Sequence, residues 1–205
     1  MNSIDRNLYK AMNRLADHTT WAHGAVRLFA KDGIVVFAVL LLVSWWLGRI
    51  SLSPIRTVGQ AVWAGAGALL ALAVNQPIGS AIGRSRPYDT IANMHLLVDK
   101  TKDFSFPSDH ATIAGAVAAG LFLAHRRLGI AAIVAAFAMA FARVYVGAHY
   151  PGDVTAGLVL GSTVTVAFSR LGARILEPVL TAISKTTLRA VVTAEPRSVE
   201  EIVRT

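Results

Sequence analysis

Residues 57–83, TVGQAVWAGAGALLALAVNQPIGSAIG, carry no charged side chain. A helix needs about 20 predominantly apolar residues to cross the hydrocarbon core of a bilayer, so this run reads as a membrane span and decides the fold class. Outward from it, Gly33 to Gly48, Ala111 to Ala124, Leu128 to Ala142 and Val154 to Ser169 are likewise free of charge. The expectation is an all-α integral-membrane bundle of about five to six transmembrane helices. Composition agrees: 54% of the 205 residues are hydrophobic and 16% charged, with mean hydropathy +0.52, whereas soluble domains carry about 25% charged residues.

Several of these runs are shorter than a span, and they reach membrane length only by taking in Asp109, His110 and Arg143 at their ends. Ionisable side chains at the hydrocarbon boundary are costly and mark functional positions by default.

Before the first span, Ile4, Leu8, Met12 and Leu15 recur at helical spacing with Arg6, Lys10 and Arg14 off that stripe. Residues 1–20 therefore read as an amphipathic interfacial segment, helical over 2–17. Its charges, Asp5 included, interrupt any signal-peptide core, so it is expected to be retained. Trp21 to Gly48 reads as one helix whose later part spans, with Trp45 and Trp46 at headgroup depth. Beyond Asn75, Pro77, Gly79 and Gly83 predict an irregular or kinked continuation. The division expected is an interfacial helix over 1–20, a transmembrane catalytic unit over 21–174 and a polar cytoplasmic tail over 175–205.

A net charge of +8 would suggest nucleic acid in a soluble protein. Here many of the cations sit in short loops and at helix ends, where the positive-inside bias and anionic headgroups account for them, and no nucleic-acid partner is expected. Counting loops places Arg49, Arg56, Arg126, Arg127, Arg170 and Arg174 on one side, read as cytoplasmic. Arg84, Arg86, His110, Arg143, His149 and Asp153 then fall on the outward side. The basic residues of the N-terminal segment, Arg6, Lys10, Arg14, Arg27 and Lys31, oppose that orientation if only five helices span. The chain has no cysteine, hence no thiolate nucleophile and no thiolate metal site.

Three separated segments converge on the outward face: Arg84-Ser85-Arg86-Pro87, then Pro107-Ser108-Asp109-His110, then Arg143 followed by His149 and Asp153. Together they hold the parts needed to bind and cleave a phosphate ester. The guanidinium fork matches phosphate oxygens and stays charged, so Arg86 and Arg143 suit a phosphate clamp, with Arg84 a further candidate. A snorkelling interfacial arginine is the plain alternative for Arg86. Arg143 interrupts an apolar span with no acidic residue within a turn.

His149 and Asp153 stand four apart across Tyr150-Pro151-Gly152. A turn opening into a helix brings the carboxylate to one imidazole nitrogen, fixes the tautomer and frees the other nitrogen to attack phosphorus. Taken alone, this spacing equally fits a helix-start aspartate beside an interfacial histidine. His110 supplies a second imidazole to protonate the leaving oxygen and activate water. Ser108 and the N–H groups that follow it, beginning with Asp109, fit a phosphate oxygen, a plain helix N-cap, or both at once. There is no His-Glu-x-x-His and no clustered carboxylate pair, and the arginines would repel a cation, so neither a metal nor another cofactor is expected.

These residues, in this order, resemble the type-2 phosphatidic acid phosphatase superfamily, which includes the lipid phosphate phosphatases and the vanadium haloperoxidases. Its signature, K-x6-R-P, P-S-G-H and S-R-x5-H-x3-D, is matched across roughly residues 75–155. Departures are Gly79 in place of the lysine, Asp109 in place of the glycine and Ala142 in place of the serine. The resemblance implies Arg86, Ser108 and Arg143 as phosphate ligands, His110 as general acid and base, His149 as nucleophile and Asp153 as its orienter. Arg84 or Lys102 is the candidate replacement for the lysine. Residues 105–110, SFPSDH, and 143–151, RVYVGAHYP, are similar to the bacterial undecaprenyl-diphosphatase branch linked to bacitracin resistance. That likeness implies a polyprenyl diphosphate as substrate, its monophosphate as product, and a site facing outward from the cell membrane. The same clamp would serve a phosphatidate or phosphatidylglycerophosphate phosphatase or a lipid phosphotransferase. The alternative without chemistry is a phospholipid-binding or transport protein.

Overall fold

The computed structural model describes residues 3–194; residues 1–2 and the end of the expected tail, 195–205, lie outside the described residues. Nine α-helices make up the described chain: α1 (Ser3–His18), α2 (His23–Asp32), α3 (Ile34–Arg49), α4 (Pro54–Ile82), α5 (Pro87–Thr90), α6 (Asp109–Ala124), α7 (Arg126–Tyr145), α8 (Pro151–Ala167) and α9 (Ser169–Ser184). Single 3-10 turns stand at Thr20–Ala22 and Thr187–Val191. The five charge-free runs became α3, α4, α6, α7 and α8, so the all-α bundle is borne out.

By length and composition α4, continued by α5, and α7 suffice to cross a membrane alone, and α8 with α9 forms a third candidate bent by 52°. The apolar helices α3 and α6 have 16 residues each, about 24 Å at 1.5 Å per residue. Helix α6 lies at the centre, packed against α4, α7 and α8. Alanines dominate that contact, with Ala64, Ala68, Ala71, Ala114, Ala116 and Ala118 all buried. Helices pack in lipid by close backbone approach at small residues. A Cβ on Gly161 would stand 2.0 Å from the Thr112 carbonyl oxygen, and one on Gly157 2.7 Å from that of Ser108. Only glycine lets α8 press so closely on α6. The approach sets the start of α8 beside the start of α6, where the Ser108 N–H donates to the Asp153 carbonyl at 3.1 Å.

Three expectations change. The helix read from Trp21 to Gly48 is broken at Gly33 into α2 and α3, which leaves the end of α2 beside α7. Helix α4 continues through Pro77 to Ile82 and ends on Gly83, whose φ of 60° is the left-handed C-terminal stop glycine supplies. Proline removes one backbone donor, and in a packed apolar helix that loss is tolerated. Finally, the boundary placed at Arg174 falls inside α9. Leu176, Leu180 and Ile183 line one face of that helix at helical spacing. Leu180 and Val192 are buried with Val58, the Ala194 N–H donates to the Arg49 carbonyl at 3.0 Å, and Trp45 Nε1 donates to the Val191 carbonyl at 2.9 Å. Mean polarity hid an amphipathic pattern.

Helix α1 docks by its Tyr9, Asn13 and Ala16 edge and leaves Ile4, Leu8 and Leu15 exposed, an apolar stripe suited to a lipid surface. It rests on the turn between α7 and α8, where Tyr9 donates to the Gly147 carbonyl at 3.3 Å. Arg6, Lys10 and Arg14 therefore lie on that end of the bundle, and the charge asymmetry between the two ends rests on the short loops alone.

Candidate active site

The turn Val146–Tyr150 joins α7 to α8. Gly147 adopts φ 83°, and a Cβ there would stand 2.6 Å from the His95 carbonyl oxygen, so the reversal requires glycine. It turns His149 inward, to 2% exposure. The imidazole Nδ1–H donates to the Ser105 carbonyl at 2.8 Å, which fixes the tautomer and leaves Nε2 with its lone pair. Asp153 Oδ2 is 3.7 Å from Nδ1. The carboxylate thus comes within ion-pair reach of the imidazole, as the spacing suggests, while the Nδ1–H itself is taken by Ser105. Asp153 instead accepts from Ser105 Oγ at 2.5 Å, from the Tyr150 N–H at 2.9 Å and from Arg84 Nη1 at 2.7 Å. Its hydrogen-bonded link to His149 runs through Ser105, the first residue of SFPSDH, to which the sequence assigns no role.

Nε2 meets two guanidiniums, Arg86 Nη1 at 3.2 Å and Arg143 Nη2 at 3.3 Å. Arg86 is positioned by the Ala148 carbonyl at 3.1 Å and by the Asp103 carboxylate at 2.9 Å. Arg143 Nη1 donates to the Ala30 carbonyl of α2 at 3.1 Å. Of the six buried side-chain polar atoms without a partner among the described residues, Arg143 Nε and Ser108 Oγ belong to the residues expected to bind phosphate. Ser108 does occupy the N-cap position of α6, but its hydroxyl makes no capping bond. Of the two readings open for that hydroxyl, the cap is therefore excluded. Unpaired buried donors beside convergent cations are the hydrogen-bonding capacity that an anion with several acceptor oxygens would satisfy. His110, in the first turn of α6, is half-buried and interacts electrostatically with Arg143, His149 and Arg86.

Burial holds the His149 imidazole below the ordinary histidine value of 6.5, and the Arg143 and Arg86 charges push the same way against Asp153. It is a neutral base facing cations. Burial raises the Asp103 carboxyl, but bonds from Thr101 and the Arg86 charge outweigh that and hold it below the usual range.

Two residues expected to bind phosphate are placed otherwise. Arg84 is held between the carboxylates of Asp5 and Asp153 and lies over the Tyr150 ring, 4.2 Å from its centroid. Its charge is already satisfied there. The Asp109 carboxylate accepts from Asn75 at 2.5 Å and Gln76 at 3.1 Å, which turns it toward α4. Lys102 is exposed, and a Cβ on Gly79 would meet the Phe106 carbonyl oxygen at 3.2 Å. The described residues thus bring Arg86, Arg143 and His149 together with His110 beside them, and neither candidate replacement for the lysine, Arg84 or Lys102, joins them.

Comparison with known proteins identifies the family. The family model described as the PAP2 superfamily matches residues 60–176. The chain is 27% identical over 167 residues to the undecaprenyl-diphosphatase BcrC of Bacillus subtilis, covering 82% of this chain and 83% of that one. It is 30% identical over 165 residues to the putative undecaprenyl-diphosphatase YbjG of Escherichia coli, covering 78% and 79%. Its fold is similar to the crystal structure of a transmembrane PAP2-type phosphatidylglycerolphosphate phosphatase from Bacillus subtilis, with TM-score 0.60, 18% identity, and 85% and 89% of the two chains covered. The matched family segment takes in every residue of the cradle, and this chain belongs to the PAP2 superfamily of membrane lipid phosphatases.

Proposed function

We propose that the protein hydrolyses a polyprenyl diphosphate of the undecaprenyl class to its monophosphate and inorganic phosphate, with His149 as nucleophile and no metal. The observation that carries this is the convergence of Arg86 Nη1 and Arg143 Nη2 on His149 Nε2 at 3.2 and 3.3 Å. Relatives named an undecaprenyl-diphosphatase and a putative undecaprenyl-diphosphatase, aligned over 83% and 79% of their length, support the lipid.

The terminal phosphoryl group displaces the two guanidiniums from Nε2 and is clamped by them, by Arg143 Nε and by Ser108 Oγ. Charge developing on its oxygens is met by fixed cations in a buried site. The Nε2 lone pair forms a bond to phosphorus as the bond to the bridging oxygen breaks, and His110 gives that oxygen a proton. His110 then takes a proton from water, whose oxygen attacks the phosphohistidine and releases phosphate. The Nδ1–H bond to Ser105, backed by Asp153, stabilises the imidazolium character of the intermediate. The arginines of the short loops at the opposite end support a site on the outward face.

Purified protein in detergent with EDTA is offered undecaprenyl diphosphate, phosphatidate and phosphatidylglycerophosphate at equal concentration. The expected result is fastest phosphate release from the diphosphate, with the monophosphate as the lipid product. Faster release from another lipid would overturn the substrate, loss of activity in EDTA the metal-free reaction, and a phosphorylated acceptor lipid in place of free phosphate the hydrolysis.

A further inference from the structure

We infer that Asp5, on the N-terminal helix α1, is a positioning residue for the reaction, acting on the nucleophile through Arg84, Asp153 and Ser105. The inference rests on His149 being that nucleophile. Asp5 Oδ1 accepts the Gly152 N–H at 2.8 Å, which ties α1 to the first turn of α8, and Oδ2 accepts from Arg84 Nη2. Arg84 Nη1 donates to Asp153 Oδ1 at 2.7 Å. Asp153 Oδ2 accepts from Ser105 Oγ at 2.5 Å, and the Ser105 carbonyl takes the His149 Nδ1–H at 2.8 Å. Every link from α1 to the imidazole is a direct bond.

Charge explains why the first link matters. The Asp153 side chain is 0% exposed, and a buried carboxylate requires a cation. His149 is buried and neutral, so Arg84 is the cation Asp153 has. Arg84 itself is not enclosed: its side chain is 21% exposed, and it borders a cavity of about 500 Å³ lined also by Asp5, Phe106 and Tyr150. It has room to leave. Asp5 holds its far nitrogen, and α1 is fixed in turn by Tyr9 on Gly147 and by Asn13, which bonds the His95 carbonyl at 2.8 Å and the His95 N–H at 3.1 Å. The Tyr9 ring packs against Tyr150 at 5.4 Å. A helix outside the matched family segment thus holds a charge on which the nucleophile's orientation depends.

The test uses the full chain in detergent with EDTA and undecaprenyl diphosphate, and reads kcat, KM and the pH profile of kcat/KM for Asp5→Asn, Asp5→Ser, Asp5→Glu and His149→Ala. Displacing a positioning group costs on the order of 10- to 100-fold in rate, so Asp5→Asn is expected to lower kcat by that much, with KM changed less than about threefold. The groups facing His149 are Arg86, Arg143, His110 and Asp153, with Asp103 on Arg86. Freeing Asp153 from Arg84 strengthens the negative term among them, so the acid limb moves to higher pH. Asp5→Glu is expected to recover most of kcat and the original limb. Should Asp5→Asn lose its fold, Asp5→Ser is read by the same outcomes, and loss of fold in both with full recovery in Asp5→Glu assigns the carboxylate to the structure of the site alone and overturns the inference. So does a folded Asp5→Asn within twofold of wild type with an unmoved limb. Activity retained in His149→Ala overturns the underlying reading instead, whatever Asp5 does.

Discussion

At the end of the bundle that carries His149, Arg86 and Arg143 are 4% and 8% exposed, each braced by a main-chain carbonyl and aimed at one imidazole nitrogen. At the opposite end, Arg56, Arg126, Arg127 and Arg170 are exposed. There Arg49 stacks on Trp45 and Trp46 at 5.1 and 4.9 Å, and Arg126 lies over Phe122 at 5.7 Å. The two ends share a residue type and differ in what holds it. Stacked and exposed cations snorkel to headgroups, where desolvation is small. Two buried guanidiniums converging on a neutral imidazole bear a desolvation cost that an incoming anion offsets. Number of arginines says little about function; convergence and burial say much.

The widest separation between the ends comes from removing their cations. Arg143→Ala and Arg86→Ala are each expected to lower kcat/KM by roughly 10²- to 10³-fold, the usual cost of losing one preorganised transition-state donor. Arg56→Ala and Arg126→Ala are expected to stay within about twofold in the same assay. Equal losses at both ends would break the distinction. A smaller effect sharpens it within the active end. Ser108→Ala removes a hydroxyl that caps nothing and has no partner, so it is expected to cost roughly 10-fold in rate, as for one bond to a charged group, with an unchanged melting temperature. A fall in stability with intact rate would return Ser108 to a structural role. The mildest test is pH. Because burial and the two arginines hold the free His149 imidazole below 6.5, its neutral form persists as pH falls, and the acid limb of kcat/KM is expected below that value. In Arg143→Lys the planar fork is lost while the charge remains, so the limb is expected to stay low as the rate drops.

The fold was legible because lipid imposes a simple rule: charge-free runs must be helices, and all five were. The N-terminal helix was legible by the same periodicity. Helix α9 is hard to read from composition because its apolar face is diluted by Arg170, Arg174 and Glu177. At the site, residue types and order sufficed to gather Arg86, Ser108, His110, Arg143 and His149. Sequence spacing could not show which bonds those side chains make. Asp153 stands four residues from His149 and 3.7 Å from its Nδ1, yet the hydrogen bonds between them run through Ser105, 44 positions before His149 in the chain, because the turn at Gly147 points the imidazole at the loop before α6. Residue type marks Arg84 as a phosphate ligand, but the carboxylates of Asp5, from the far end of the sequence, and Asp153 hold it.

In the proposed mechanism His149 Nε2 attacks phosphorus. The direct measurement is rapid alkaline quench of the His110→Ala variant after mixing with undecaprenyl diphosphate labelled in the terminal phosphate, followed by peptide mapping of the label. The expected result is an acid-labile, base-stable phosphoryl group on His149, absent when His149→Ala is added to the same variant; it accumulates because the weakly basic phosphate leaving group departs without a proton more readily than water attacks without a base. Label on any other residue, or phosphate release by His149→Ala at the wild-type rate, would contradict it.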